Sequence, residues 1–193
     1  MPFSSEVFDP KVGELLSLLK PRTCLDIGAG AGKYGQLLRN TCPAARSIAV
    51  EIEADYVSRF DLISIYSEVW NIDAQALFQK SPDQVYDLVI FGDSIEHLRK
   101  SVGLDLLHFF YYRARLLLVL YPLNYIQHSV EGYASEAHIS VWDARDFAWC
   151  AHHHIRVENN CLCIIKGLLD KEDLFRQCVE TLQRHEVKAD EPK

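Results

Sequence analysis

The fold is decided by the stretch Thr23-Cys24-Leu25-Asp26-Ile27-Gly28-Ala29-Gly30-Ala31-Gly32-Lys33-Tyr34-Gly35. Its apolar beginning predicts a buried strand, its glycines predict a turn, and the residues after them predict the start of a helix. Glycine has no Cβ and accepts positive φ, so the backbone of this turn can lie close against a ligand. The helix start presents free backbone N–H groups to any carboxylate or phosphate above the turn.

The glycine spacing alone leaves two ligand classes open. Gly30, Gly32 and Gly35 satisfy the G-x-G-x-x-G pattern of dinucleotide binding, and Glu51 ends the next apolar run, where it could accept hydrogen bonds from ribose hydroxyls. Asp26 favours a cationic ligand. It stands two residues before Gly28, the first glycine of the turn, where its carboxylate would repel a pyrophosphate and stabilise a positive charge. Asp26 and Glu51 are both expected at a ligand cleft and outside the apolar interior.

The run Leu25-Asp26-Ile27-Gly28-Ala29-Gly30-Ala31-Gly32 resembles the first motif of the class I S-adenosylmethionine-dependent methyltransferases. The methyl donor of that superfamily carries a sulfonium, an ammonium and a single carboxylate. The resemblance extends in order from about Arg22 to Lys166, and the first motif is its most specific part. It implies S-adenosylmethionine as cofactor and S-adenosylhomocysteine as product.

Length and composition are typical of one globular domain. The chain has 193 residues, of which 49% are hydrophobic and 24% charged, and its formal net charge is -7. This charge disfavours a general polyanion-binding surface. The beginning of the sequence lacks the pattern of a signal peptide, and no apolar run reaches the length of a membrane span, so we expect a cytoplasmic protein without membrane contact.

The order of apolar runs and helical patterns predicts an α/β fold. Strands separated by helices imply right-handed crossovers and a doubly wound, mostly parallel sheet whose ligands bind at the carboxyl ends of the strands. The resemblance implies seven strands, with the seventh antiparallel between the fifth and the sixth. The predicted strands span 23–27, 47–51, 65–70, 86–91, 115–121, 152–157 and 161–166.

The chain is predicted to form a single domain over residues 1–193. An amphipathic helix over 9–20, with Asp9 as its cap, precedes a cofactor-binding half over 22–98. The stretch 122–142 has no regular periodicity and is interpreted as a substrate-side lid, because a connection of this length is usually functional. A terminal hairpin over 152–166 completes the sheet.

The resemblance assigns cofactor contacts to the residues after the first four strands. Glu51 would accept hydrogen bonds from both ribose hydroxyls, and Ile52 would pack against the adenine ring. The carboxylate of Asp73 and the N–H of Ala74 would form hydrogen bonds with the polar edge of the adenine. Asp73 could equally cap the helix that follows. The complete predicted set is Asp26, Gly28, Ala29, Gly30, Gly32, Tyr34, Glu51, Ile52, Asp73, Ala74 and Asp93.

Three residues are candidates for the general base that removes a proton from a hydroxyl or ammonium acceptor. Asp93 ends the fourth strand beside the expected methyl group, and His97 lies on the same turn after Ser94 and Glu96. His138 belongs to the lid. A histidine in either position can also have a packing or capping role.

No metal site is predicted. In an extended strand the middle ring of His152-His153-His154 faces opposite its neighbours, so the three cannot converge on one ion. The six scattered cysteines include no C-x-x-C pair and are interpreted as small buried hydrophobes.

The predicted activity is methyl transfer to an oxygen or nitrogen acceptor. The chain has no Asn/Asp-Pro-Pro-aromatic segment after the fourth strand and no Pro-Cys dipeptide, which disfavours methylation of DNA bases. A small molecule is the leading acceptor class, followed by a protein side chain and then structured RNA. An NAD(P)-binding oxidoreductase and a catalytically silent methyltransferase-like binding module remain as alternatives. The chain could be a monomer or a homodimer.

Overall fold

A computed structural model describes the backbone of residues 4–189 and the side chains of residues 4–183. Seven strands form one sheet in the order β3-β2-β1-β4-β5-β7-β6. The strands are β1 (Thr23–Ile27), β2 (Arg46–Val50), β3 (Glu68–Trp70), β4 (Tyr86–Gly92), β5 (Ala114–Pro122), β6 (His152–Val157) and β7 (Asn160–Lys166).

Strands β1 to β5 pair in parallel, whereas β7 pairs antiparallel with β5 on one side and with β6 on the other. This confirms the predicted doubly wound α/β sheet, including the antiparallel seventh strand between the fifth and the sixth. Within residues 4–189, no helix is both long enough and apolar enough to cross a membrane.

Helices cover both faces of the sheet. They are α1 (Asp9–Leu19), α2 (Lys33–Thr41), α3 (Ala54–Arg59), α4 (Leu62–Ile65), α5 (Leu77–Lys80), α6 (Lys100–Tyr111) and α7 (Leu174–Ala189). Leu25 and Val89 point to the core that α5 and α6 complete, and Cys24 and Leu88 point to the core under α1, α2 and α7. Alternate strand residues therefore enter opposite cores, as the twofold period of a strand requires.

Apart from one-residue shifts at the ends of other elements, two predictions about local structure are wrong. The third strand was predicted over 65–70, but Ile65 ends the short helix α4 and only Glu68–Trp70 pairs with β2. Asp9 is not a cap, because it lies inside the first turn of α1 and its carboxylate binds the ammonium of Lys33 at 2.5 Å. In both cases a contact with a distant segment is present that local sequence patterns do not predict: the pairing of β3 with β2 and the ion pair between Asp9 and Lys33.

All six cysteines lie within the described side chains and are free thiols. Cys161 and Cys163 share one core, as their spacing in a strand predicts. In β6, His154 Nε2 is 2.9 Å from the hydroxyl of Tyr121, and His152 Nδ1 is 3.0 Å from the carbonyl oxygen of Cys150. The two rings are held by different partners.

Candidate active site

A cavity opens at the carboxyl ends of β1, β2 and β4, where a doubly wound sheet binds its ligands. Its wall combines backbone of the glycine turn with carboxylates and apolar side chains from the loops that follow the strands. The lining includes Gly28, Ala29, Gly30, Glu51, Ile52, Glu53, Ile72, Asp73, Ala74, Asp93, Ser94, His97, Leu98, Val102, Ser135, Glu136 and Ile139.

The glycine turn after β1 is held tightly by its neighbours. The N–H groups of Gly28 and Ala29 both donate to the carbonyl oxygen of Val50. Gly28 has φ +78°, and a Cβ at this position would lie 2.4 Å from the Cβ of Ser94. Because Ser94 is itself fixed by a 2.6 Å hydrogen bond from its hydroxyl to the carbonyl oxygen of Ile27, a side chain at Gly28 has no space.

Glu51 connects the glycine turn to the end of β2. One carboxylate oxygen accepts from the N–H of Gly30 at 2.8 Å, and the other accepts from the N–H of Glu53 at 2.9 Å. Burial raises the pKa of Glu51, whereas these two backbone donors lower it. Since a carboxylate oxygen can accept more than one hydrogen bond, both oxygens keep capacity for ligand hydroxyls at the cavity wall.

Asp26 lies outside the cavity lining, and so the structure does not bring its carboxylate to the predicted ligand. It is 1% exposed, and Oδ2 accepts a 2.5 Å hydrogen bond from the hydroxyl of Tyr66. Burial raises the pKa of Asp26 to about 7. The expectation of a position at the ligand cleft is therefore wrong for Asp26, whereas Glu51 lines the cavity although it is only 5% exposed.

Gly32 and Tyr34 also lie outside the cavity lining. Gly32 has φ +80° at the start of α2, and a Cβ there would lie 2.7 Å from Cδ1 of Ile65. Tyr34 is buried under β4, where a Cβ on Gly92 would lie 1.9 Å from its ring. Both residues shape the turn through packing.

Gly35 is required by packing as well, since a Cβ there would lie 2.3 Å from the ring of Tyr66. The third glycine of the dinucleotide pattern therefore has an explanation that involves no ligand. Its N–H donates to the Tyr66 hydroxyl at 3.0 Å. The same hydroxyl thus joins the first turn of α2 to Asp26.

Asp73 caps the short 3-10 helix Ala74–Ala76, since its carboxylate accepts from the N–H of Gln75 at 2.7 Å. The capping role that the sequence left open is therefore present, and Asp73 also lines the cavity. Ile52 is 49% exposed at the same end. Ile72, Leu98 and Val102 make this part of the wall apolar.

Asp93 directly follows β4, has φ +50° and lines the opposite part of the cavity. Its Oδ2 accepts from the N–H of Ser5 at 3.2 Å, and the ammonium of Lys33 donates to the carbonyl oxygens of Ser4 and Ser5. Burial raises the pKa of Asp93 and the charge of Lys33 lowers it. Ser4 also lines the cavity, a contact that the sequence analysis did not predict.

The two predicted catalytic histidines lie together, although 40 residues separate them in the sequence. Their rings meet edge to face with centroids 4.8 Å apart. His97 lines the cavity, whereas His138 lies behind it with Nε2 3.9 Å from Oε1 of Glu96. Glu96 is 3% exposed and its burial raises its pKa well above the usual range. Sequence reasoning assigned Glu96 no role, although it sits next to His97.

The stretch 122–142 crosses the carboxyl ends of the strands and is fixed at both sides. Towards α3, the hydroxyl of Tyr133 donates to Asp55 at 2.8 Å and Arg59 pairs with Glu131 at 2.7 Å. Towards β4, the N–H groups of Ile139 and Ser140 donate to the carbonyl oxygen of Glu96. Ser135, Glu136 and Ile139 contribute side chains to the cavity wall.

No model of a known protein family matches the chain, and no curated protein matches its sequence significantly. Solved structures do match. A SAM-dependent methyltransferase from Archaeoglobus fulgidus aligns at 17% identity and TM-score 0.64 over 84% of this chain and 94% of that one. The fold is that of the class I methyltransferases.

Two further structures have the same methyltransferase fold. The N-terminal domain of EvdMO1 with SAH bound matches 85% of this chain and 82% of that one, at 14% identity and TM-score 0.59. An O-methyltransferase family protein from Burkholderia thailandensis matches at 14% identity and TM-score 0.60 over 83% of this chain. The chain spans 56% of that Burkholderia protein.

Proposed function

We propose that the chain is an S-adenosylmethionine-dependent methyltransferase that acts on an oxygen or nitrogen atom of a small-molecule acceptor. The observation that carries the proposal is the position of Glu51, which lies on the cavity wall at the end of β2 and is hydrogen-bonded to the glycine turn. The bound ligands named for two similar structures, SAH in the EvdMO1 domain and SAM in human N-acetylserotonin methyltransferase, support the same cofactor.

Four features of the cavity support binding of the donor. Glu51 has acceptor capacity for the two ribose hydroxyls, and Ile52 with Ile72, Leu98 and Val102 forms an apolar surface for a purine. Asp73 and the N–H of Ala74 lie at the same end and would bind the polar edge of that ring. At the other end, the absence of a Cβ at Gly28 and Gly30 lets the backbone approach the methionine part of the donor.

The electrostatic preference for a sulfonium over a pyrophosphate is assigned here to Asp93, since Asp26 faces the interior. Asp93 lies on the cavity wall after β4, and a phosphate beside it would be repelled. The donor supplies an electrophilic methyl group, whose bond to sulfur breaks as the bond to the acceptor atom forms. A protonated acceptor loses its proton to Asp93, and the wall and the 122–142 stretch exclude water.

Parallel thermal melts with S-adenosylhomocysteine, S-adenosylmethionine and NAD test the proposal. At 100 times its dissociation constant a ligand stabilises the folded state by about 2.7 kcal/mol, which raises the melting temperature by roughly 5–10 °C in a domain of this size. We expect a shift with the first two ligands. A shift with NAD alone would support the oxidoreductase and refute the proposal. Tight donor binding without transfer to any acceptor in a metabolite panel would favour the silent binding module.

A further inference from the structure

We propose that Glu96, His97 and His138 bind a divalent transition-metal cation beside the acceptor end of the cavity. Each side chain offers one ligand atom, and the three atoms lie within 4.8 Å of one another. Two imidazoles and one carboxylate form a donor set that suits zinc, iron(II), cobalt(II) or manganese(II) better than magnesium or calcium, which prefer oxygen ligands. The sequence predicted no metal site, neither at His152-His153-His154 nor at the cysteines.

The tautomers of both histidines are fixed by backbone carbonyl groups. His97 Nδ1 is 3.2 Å from the carbonyl oxygen of Ala137, and His138 Nδ1 is 2.9 Å from that of Tyr125. A carbonyl oxygen can only accept a hydrogen bond, so each Nδ1 carries a hydrogen, and in the neutral ring Nε2 presents a lone pair. Metal-binding histidines have this arrangement, because an outer hydrogen bond orients the ring and increases its basicity.

Glu96 supplies the negative charge that such a site needs. Its side chain is 3% exposed, and Oε2 has no hydrogen-bond partner. The distance of 3.9 Å between Oε1 and His138 Nε2 is too long for a direct hydrogen bond. A buried carboxylate oxygen that lacks a hydrogen-bond donor is costly unless a cation compensates the charge. The cation also removes the repulsion between this carboxylate and the two nitrogen lone pairs.

Three protein ligands leave coordination positions open for water or substrate, as in catalytic metal sites. His97 lies on the cavity wall with Asp93, so the open positions would face the acceptor end. In this respect the inference rests on the proposed function and narrows the class of acceptor. The acceptor would be an oxygen compound that coordinates the metal, which lowers the pKa of its hydroxyl so that the proton can pass to Asp93.

Metal titration of chelator-treated protein tests the site. We expect the wild-type chain to bind one cobalt(II) ion with a visible absorption band and to bind zinc by calorimetry. Glu96→Gln and His138→Gln should each weaken zinc binding by more than the roughly 10- to 100-fold that loss of an outer hydrogen-bond partner causes. His128→Gln, an exposed histidine of the same stretch, and His152→Gln should leave the affinity unchanged.

The controls separate this inference from the proposed function. The affinity for S-adenosylhomocysteine is measured in every variant, so a folding defect is detected independently of the metal. Acetohydroxamate, an oxygen chelator, should shift the cobalt(II) band if the open positions face the cavity. A wild-type chain that binds S-adenosylhomocysteine but no metal refutes the metal site alone, as does metal binding that only His152→Gln abolishes. Metal binding without the hydroxamate shift refutes the acceptor role.

Discussion

The hydroxyl of Tyr66 donates a 2.5 Å hydrogen bond to the buried carboxylate of Asp26. The same hydroxyl accepts a 3.0 Å hydrogen bond from the N–H of Gly35. The phenol of Tyr66 therefore connects β1 to the first turn of α2 below the glycine turn. Asp26 therefore acts on the turn through Tyr66 and has no direct contact with the cavity. The second oxygen of Asp26 has no hydrogen-bond partner.

We predict that Asp26→Asn makes folding stability less dependent on pH. Burial raises the pKa of Asp26 to about 7, well above its unfolded value of about 3.9, so the native state retains this proton longer than the unfolded state. The wild-type chain therefore loses stability as the pH rises from about 4 to about 7, by an amount on the order of 4 kcal/mol. Asn is neutral throughout and lacks this loss.

Urea unfolding at pH 4.5 and pH 7.5 measures the effect for wild type and variant. The exposed Asp83→Asn serves as the control and should follow the wild type. If the stability of Asp26→Asn depends on pH in the same way as that of the wild type, the Asp26 carboxyl group does not retain its proton in the folded state.

Tyr66→Phe should destabilise the fold without changing its shape. The substitution removes only the hydroxyl and leaves the Asp26 carboxylate and the Gly35 N–H unpaired in the interior. Each unsatisfied buried group costs about 1–3 kcal/mol. Chemical denaturation of Tyr66→Phe beside Tyr125→Phe, whose ring is 59% exposed, measures this cost. Equal stability of the two variants would contradict it.

Glu51→Gln should weaken binding of S-adenosylhomocysteine. The amide is similar in shape but lacks the charge, and hydrogen bonds to charged groups contribute about 1.5–3 kcal/mol, which corresponds to roughly a 10- to 100-fold loss of affinity. Isothermal titration calorimetry measures the affinity. The matched control is Glu68→Gln at the start of β3, away from the cavity. Unchanged affinity in Glu51→Gln would remove the ribose assignment.

Gly28→Ala and Gly13→Ala should change stability in opposite directions. Alanine at position 28 would be strained by the φ of +78° and would place its Cβ 2.4 Å from that of Ser94, so we expect a loss of about 1–3 kcal/mol. At Gly13 in α1 a Cβ meets nothing within 4 Å, and alanine should stabilise the helix by about 0.5–1 kcal/mol. Thermal unfolding of both variants is the measurement, and a stabilised Gly28→Ala would show that the turn is not constrained.

The amino-acid sequence was sufficient to predict the strand–turn–helix unit at Thr23–Gly35 and the succession of strands along the chain. Apolar periodicity and glycine positions are local properties, so they indicate which residues form a strand and where it ends. The position of Glu51 on the cavity wall follows from the same information, because the carboxyl ends of parallel strands lie at one edge of the sheet.

The exclusion of Asp26 from the cavity could not be predicted from the sequence. Asp26 shares the strand face of Cys24 and meets Tyr66, which lies 40 residues further along the chain, whereas Asp93 after β4 faces the cavity. The convergence of Glu96 and His97 with His138 likewise depends on how the stretch 122–142 crosses the sheet. Such contacts are set by packing between segments distant in sequence, and local spacing carries no information about them.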